Sequence, residues 1–464
     1  MAEVTAPEDL PLDDRAPHAA SLTDQLIERI RGIDGRHKDA VAGATHCILD
    51  TLGVAIAGSR EPVSAVLLAS LLSEGSSGQA GVWGTNERVS RTQAAFVNGT
   101  AAHALDFDDV SAAMEGHPSA PLLPALLAAA EGSGISGSEL ITAFVMGFET
   151  EAMIGRLMSP SHYARGFHTT ATVGTFGAAA ASAQVLGIEK SKWLHAFGIA
   201  GSQASGLKSM FGTMTKPLQV GAAAENGLRS ALLARGGVTA HPDVLGAAQG
   251  FRDTQSDEAG VPVEWGRSTL AISDVLFKYH AACYLTHSAI EGLLAMREAG
   301  LTLEQVRYIQ LQVPPGHLKV CNIQTPSTPL EGKFSLRFVT ALALAKGDLS
   351  ESVFDEGSLQ DHRVMGFLDR VHVEARTGEL RSSIVSVTLN DGTQRRADVD
   401  VNEPTPSEHL DRRWTGLVSK FHSLVDPVLG REAAEDIVSL VAGLEAAPSV
   451  EPLLEALGRA PSLA

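Results

Sequence analysis

Cysteine is scarce in this chain of 464 residues: Cys47, Cys283 and Cys321 are the whole set. The number is odd and none forms a C-x-x-C pair. That excludes a disulfide framework and the usual thiolate zinc sites, and it fits a reducing, cytoplasmic setting. Positive charge is also short. The 36 Lys and Arg face 54 Asp and Glu, for a net charge of −18. The cationic face that neutralises phosphates is missing, so no nucleic-acid partner is expected. Long apolar runs are absent as well. Stretches such as 174–183 are short and built from Ala and Gly, below the roughly 18 to 20 residues of a membrane span, so no membrane partner is expected. Residues 1–20 are acidic, contain prolines and have no apolar h-region. They read as a frayed tail rather than a signal peptide. No internal repeat, Walker A, H-E-x-x-H or G-x-S-x-G pattern is present.

What is present is ordinary globular composition, 44% hydrophobic and 19% charged, in a length that suits two or three domains. About four fifths of the alanines precede position 301. Up to about residue 277, Ala/Leu-rich stretches of helical period alternate with Gly-containing breaks, and so much Gly and Ala predicts helices packed backbone near backbone. From 307 the period changes to two: Ile309, Leu311 and Val313 alternate with glutamines, Val371 and Val373 flank His372, and Val385, Val387 and Leu389 lead into Asn390-Asp391-Gly392, a strong hairpin turn. Helical patterning returns after 407. The expected fold is mainly α with a second α+β domain: a tail over 1–20, an all-helical domain from 21–275 and 402–464, and an α+β domain over 276–401.

One literal motif is a decoy. Gly132-Ser133-Gly134-Ile135-Ser136-Gly137 matches G-x-G-x-x-G, but the residues before it (121–130) are helical in pattern. A dinucleotide fingerprint needs a strand there, so this is a loop between helices. Chemistry is better sought where polar residues interrupt the apolar texture. His103, Asp106, Asp108, Asp109 and His117 place three carboxylates beside two histidines. Three readings stand: acids on a solvated loop, a carboxylate such as Asp106 orienting the imidazole of His117, and a magnesium site. His168, followed by two threonines at a helix start, is either structural or a general base. Lys216 lies in a loop just before a helix, and Lys278 lies near the change of texture, where a domain junction favours a pocket. Together these cations and histidines form the basic island that an acidic protein needs for a polycarboxylate. Such an island suits abstraction of a proton next to a carboxylate, with cations stabilising the aci-carboxylate.

The strings HALDFDDV (103–110), GHPSAPLLPALLAAAE (116–131), GFHTTATVGTFGAAAASAQVLG (166–187), FGTMTKPLQVGAAAENG (211–227), KYHAACYLTHSAIEG (278–292) and EGKFSLRFVTALALAKGDL (331–349) resemble the MmgE/PrpD family, in order, from about residue 22 to 445. That family contains 2-methylcitrate dehydratase, cis-aconitate decarboxylase and iminodisuccinate epimerase. The resemblance implies a large all-helical domain made from both chain ends, a smaller α+β lid domain, a homodimer, and a cleft without metal or organic cofactor. It places the active site on Asp106, His117, His168, Lys216 and Lys278. His103, Cys283 and Arg337 are further expected substrate contacts; Arg337 reads equally well as an exposed helix arginine. Decarboxylases of the family carry threonine at Val110, histidine at Cys283 and tyrosine at Phe338. The expected activity is a dehydratase-type lyase on a small polycarboxylate, with epimerisation as the alternative and decarboxylation or non-catalytic carboxylate binding ranked behind both. His168 is the base, Lys216 and Lys278 stabilise the aci-carboxylate, and His117, held by Asp106, is the acid.

Overall fold

The helices begin where the sequence provides caps. Ser21 Oγ accepts from the Asp24 N–H ahead of the Leu22–Arg31 helix. Ser90 with Gln93 and Ser136 with Glu139 form capping boxes for the Arg91–Ala104 and Gly137–Met158 helices. The computed structural model describes residues 21–263, 265, 269–379, 381–401 and 406–459. The tail expected over 1–20 and the boundary expected at 402 lie outside them.

The helical domain is layered around Arg91–Ala104, Ser119–Ala130, Gly174–Val185 and Thr215–Arg235, which pack on one another. Glycine permits the approach. A Cβ on Gly221 would lie 2.3 Å from the Phe96 carbonyl, and one on Gly227 would lie 2.7 Å from that of Thr175. Backbones are therefore in contact, as the Gly and Ala content predicts. The C-terminal Leu410–Leu429 helix returns to pack on Lys38–Gly58, so both chain ends build this domain.

The Lys38–Gly58 helix corrects one expectation. At 21 residues it is long and apolar enough to cross a membrane. It is nevertheless mostly buried within the molecule and carries polar groups: His46 meets Arg413, and Asp50 meets Lys420. The apolar periodicity here belongs to a core helix covered on all sides, and the interspersed His and Asp hid its length.

A short hairpin, β1 (Ala80–Gly81) and β2 (Arg88–Val89), went unforeseen because its strands are two residues each. The α+β domain contains β3 (Val306–Val313), β4 (Val371–Ala375), β5 (Ser382–Leu389) and β6 (Gln394–Asp400) in the order β4-β3-β5-β6. β3 runs parallel to β4 and antiparallel to β5, and β5 turns into β6 through Asn390-Asp391-Gly392, with Gly392 at φ 86°. Ile309, Leu311, Val385 and Val387 are fully buried. The His287–Glu298 helix packs on β5 and β6, and the Leu336–Lys346 helix packs on it and on β4. Between the domains, Val110 and Leu276 exchange backbone hydrogen bonds of 2.8 and 2.9 Å, which brings the start of the second domain against the Asp106 loop.

Candidate active site

The loop after the Arg91–Ala104 helix is the structural centre of the site. Asp106 adopts the left-handed conformation, φ 52°, one that aspartate tolerates better than most residues. Three successive carbonyls of this turn each accept a hydrogen bond from a different buried lysine: Leu105 from Lys333 (2.8 Å), Asp106 from Lys278 (2.6 Å) and Phe107 from Lys420 (2.7 Å). Its carboxylate lies 2.5 Å from Lys216 Nζ and 3.2 Å from Lys278 Nζ. Burial alone raises a carboxyl, but the two ammonium groups override it and hold Asp106 well below the usual range.

Three imidazoles surround this pair. His103 Nδ1 donates to Asp108 (2.8 Å), which leaves Nε2 to accept from Lys216 at 2.6 Å. His117 stands edge-on to His103, with ring centroids 4.8 Å apart. A turn closed by the Ser111–Gly116 bridge carries it back to the loop. Its Nδ1 donates to the Asp109 carbonyl at 2.8 Å, whereas its Nε2 lies 3.9 Å from Asp106. The expectation that Asp106 holds His117 is therefore corrected: both Asp106 oxygens face lysines, and a backbone carbonyl orients the ring.

His168 is positioned by pairing between two loops. Its N–H donates to the Gly206 carbonyl, and the Lys208 N–H to that of Gly166. Its Nδ1 lies 2.9 Å from Gln219 Oε1, which also accepts from the Leu207 N–H at 3.2 Å, while Gln219 Nε2 donates to the Leu207 carbonyl. Those backbone bonds fix which end of the amide faces the ring. His168 Nδ1 must then carry the hydrogen, and the lone pair is on Nε2. That atom is buried and has no hydrogen-bond partner among the described residues. Sequence reasoning missed Gln219; its placement one helical turn after Lys216 was the available signal. Burial, followed by Lys216, holds His103 and His168 well below the usual imidazole range, with His103 adding to the effect at His168. His117 is also lowered, with burial again the main cause.

These groups open into a cleft of about 290 Å³, suited to a ligand of metabolite size. Asp106, Val110, His117, His168, Lys216 and Cys283 line it. Cys283 has its thiol lowered, with the neighbouring Cys321 thiol the main cause. Three expected site residues do not reach the wall. Lys278 is fully buried behind Asp106. His103 sits behind Lys216, which occupies its one free nitrogen. Arg337 turns away and donates to Asn322 at 2.8 Å. Phe338 is likewise buried, against Phe354. His103, Asp108 and His117 offer three ligand atoms within 4.8 Å of one another. A cation among them would have to displace the hydrogens that His103 Nδ1 gives to Asp108 and His117 Nδ1 gives to the Asp109 carbonyl, so the donor set suits a proton network better than a metal.

Residues 25–264 match the MmgE/PrpD N-terminal domain, and residues 280–446 match the MmgE/PrpD C-terminal domain. The chain belongs to the MmgE/PrpD family. Within that family it is similar to human cis-aconitate decarboxylase, 29% identical over 458 residues, covering 90% of this chain and 93% of that protein. It is similar to cis-aconitate decarboxylase of Aspergillus terreus, 28% identical over 451 residues, covering 87% and 91%. It is also similar to 2-methylcitrate dehydratase of Escherichia coli K12, 25% identical over 434 residues, covering 85% and 88%. This MmgE/PrpD chain is an enzyme, with the family's two-domain architecture.

Proposed function

We propose that the enzyme is a cofactor-independent lyase of dehydratase type acting on a small polycarboxylate. The observation that carries this reading is the lone pair of His168 Nε2, buried, unpartnered and on the cleft wall with Lys216. A neutral imidazole fixed in this tautomer can take an α-proton. The electron pair left on the α-carbon moves into the adjacent carboxylate, and the Lys216 ammonium faces the resulting aci-carboxylate. Collapse of that intermediate forms the C=C bond and expels the β-hydroxyl, which leaves as water with a proton from His117. His117 is neutral in the free enzyme, and a dianionic substrate raises its pKa and loads that proton.

Epimerisation is the second reading, supported by His117 and His168 both lining the cleft: one neutral imidazole takes the α-proton, and the other, protonated once the dianionic substrate is bound, returns one to the opposite face. The relatives named for cis-aconitate point to decarboxylation instead. Val110 and Cys283 on the cleft wall, where the family resemblance implies threonine and histidine in a decarboxylase, favour the first two outcomes.

The test is proton NMR in deuterated water with a panel of di- and tricarboxylates. The wild type incorporates deuterium at the α-carbon of its substrate, and His168→Gln, folded by circular dichroism, loses that exchange by roughly a thousandfold. Undiminished exchange in His168→Gln removes His168 as the base.

A further inference from the structure

The cleft has a second set of cations that the reaction above does not use. Lys216 and Lys278, the lysines expected to bind carboxylate, both face Asp106, and Lys278 is sealed from the cleft. With the neighbouring imidazoles neutral, the inner end of the cleft holds little surplus positive charge. The outer wall does. Lys208, Lys319 and Arg381 line it together with Glu115, and Asp400 also lies near Arg381.

These three come from both domains. Lys208 follows the loop that pairs with the His168 segment, and its ammonium donates to the Tyr163 carbonyl at 3.1 Å while lying 3.4 Å from the centre of that ring. Lys319 projects from the Pro315–Val320 helix of the α+β domain and is exposed. Arg381, immediately before β5, is buried, with its guanidinium 5.8 Å from the Tyr284 ring centre. Burial lowers the Lys208 ammonium, and Glu115 opposes that shift. A buried arginine beside two lysines in a chain of net charge −18 is a local reversal of the protein's field. A guanidinium keeps its charge when buried, and flanking ammonium groups add charge without demanding a fixed geometry.

We propose that Lys208, Lys319 and Arg381 form a carboxylate subsite at the cleft's outer end, which binds the carboxylate remote from the reacting carbon. The proposal rests on the polycarboxylate reading and adds to it the requirement for a second, distal anion. Because two of the cations belong to the α+β domain and one to the helical domain, the bound carboxylate bridges the domain junction. Monocarboxylates and substrates neutral at the far end lack this anchor.

The probes are propane-1,2,3-tricarboxylate and butanoate, titrated by calorimetry into the wild type and a Lys208→Met/Lys319→Met variant, with deuterium uptake followed on the same samples. The wild type binds the tricarboxylate much more tightly than butanoate, and raising the salt weakens that preference. The double variant loses roughly tenfold or more in tricarboxylate affinity, the scale of a removed charge contact, with butanoate unchanged. Equal tricarboxylate affinity in the two proteins overturns the subsite, and if the wild type still exchanges its α-hydrogens the reaction stands without it. Binding that depends on the two lysines but is accompanied by no exchange upholds the subsite and overturns the reaction. Arg381→Gln tests the third cation: weakened tricarboxylate binding with butanoate unchanged supports its place in the subsite, and unchanged binding removes Arg381 from it.

Discussion

Lysines occur in two settings around the cleft. Lys278, Lys333 and Lys420 are buried, and each pairs with a carboxylate: Asp106 at 3.2 Å, Glu351 at 2.7 Å and Asp50 at 2.7 Å. Each also donates to one of the three consecutive carbonyls of the Asp106 turn. Lys208 and Lys319 stand on the cleft wall with a single nearby acid. The contrast separates charge that shapes the chain from charge that meets a ligand. A lysine inside a protein is compensated twice, by a carboxylate and by backbone oxygens, because its desolvation is otherwise prohibitive. Lys216 stands between the two classes: it is compensated by Asp106 and His103, yet it faces the cleft.

The largest effect is expected from breaking the inner set. Lys420→Met leaves Asp50 without its cation in the core of the Lys38–Gly58 helix and leaves the Phe107 and Lys278 carbonyls without their donor. Removing one partner of a buried pair costs about 3 kcal/mol or more. Denaturant unfolding of Lys420→Met should show that loss, and adding Asp50→Asn should recover a substantial part of it. A Lys420→Met protein as stable as the wild type would place this lysine with the wall cations.

That division was only partly legible in the sequence. The fold was readable because its signals are local: Ser90 and Ser136 announce capped helices, the alternation around Ile309 announces a strand, and Asn390-Asp391-Gly392 announces a hairpin. The candidate site residues stood out as chemistry-bearing types in segments rich in Gly and aromatics. Their partners were not, because pairing across the fold has no local trace. Lys333 and Lys420 lie 228 and 313 residues from the carbonyls they hold. Nothing near Lys278 distinguishes an ammonium sealed behind Asp106 from one on a cleft wall. Gln219, a polar residue on a helix, gives no sign that a loop 12 residues earlier fixes its amide.

Gln219 supplies the intermediate test, since it belongs to neither class of lysine yet connects backbone to cleft. If it fixes the His168 tautomer, Gln219→Met should lower kcat by about one to two orders of magnitude, as loss of an orienting partner does, with a smaller change in KM. Gln219→Glu sharpens the point. A carboxylate at the same position still accepts from Nδ1 but stabilises the imidazolium, so the His168 pKa rises. The base is then protonated over a wider range, and the acid limb of the pH–rate profile moves to higher pH. A purely structural role would lower activity in both variants without moving that limb.

The smallest effect concerns an acid that no lysine compensates. Glu151, in the Gly137–Met158 helix, is fully buried against Gly177, and neither carboxyl oxygen has a hydrogen-bond partner among the described residues. Burial, reinforced by Asp109, raises its pKa well above the usual 4.5 of a glutamate; Asp109 is itself pushed up to about 7 by burial and by the neighbouring Asp50 and Asp108 carboxylates. The sign follows from proton counting. Above pH 4.5 the unfolded chain releases the Glu151 proton while the folded state keeps it. Stability is therefore full below that pH and falls as pH rises toward the folded-state pKa. Glu151→Gln removes this proton linkage and keeps the shape. Its stability relative to wild type should rise between pH 5 and pH 8, by an amount on the order of 1 kcal/mol, while the two proteins differ least at pH 5. Thermal unfolding at both pH values measures the difference. If the gap between the two proteins does not change with pH, Glu151 is ionised in the folded state, and a buried carboxylate here does not need the cation that Asp50, Asp106 and Glu351 each have.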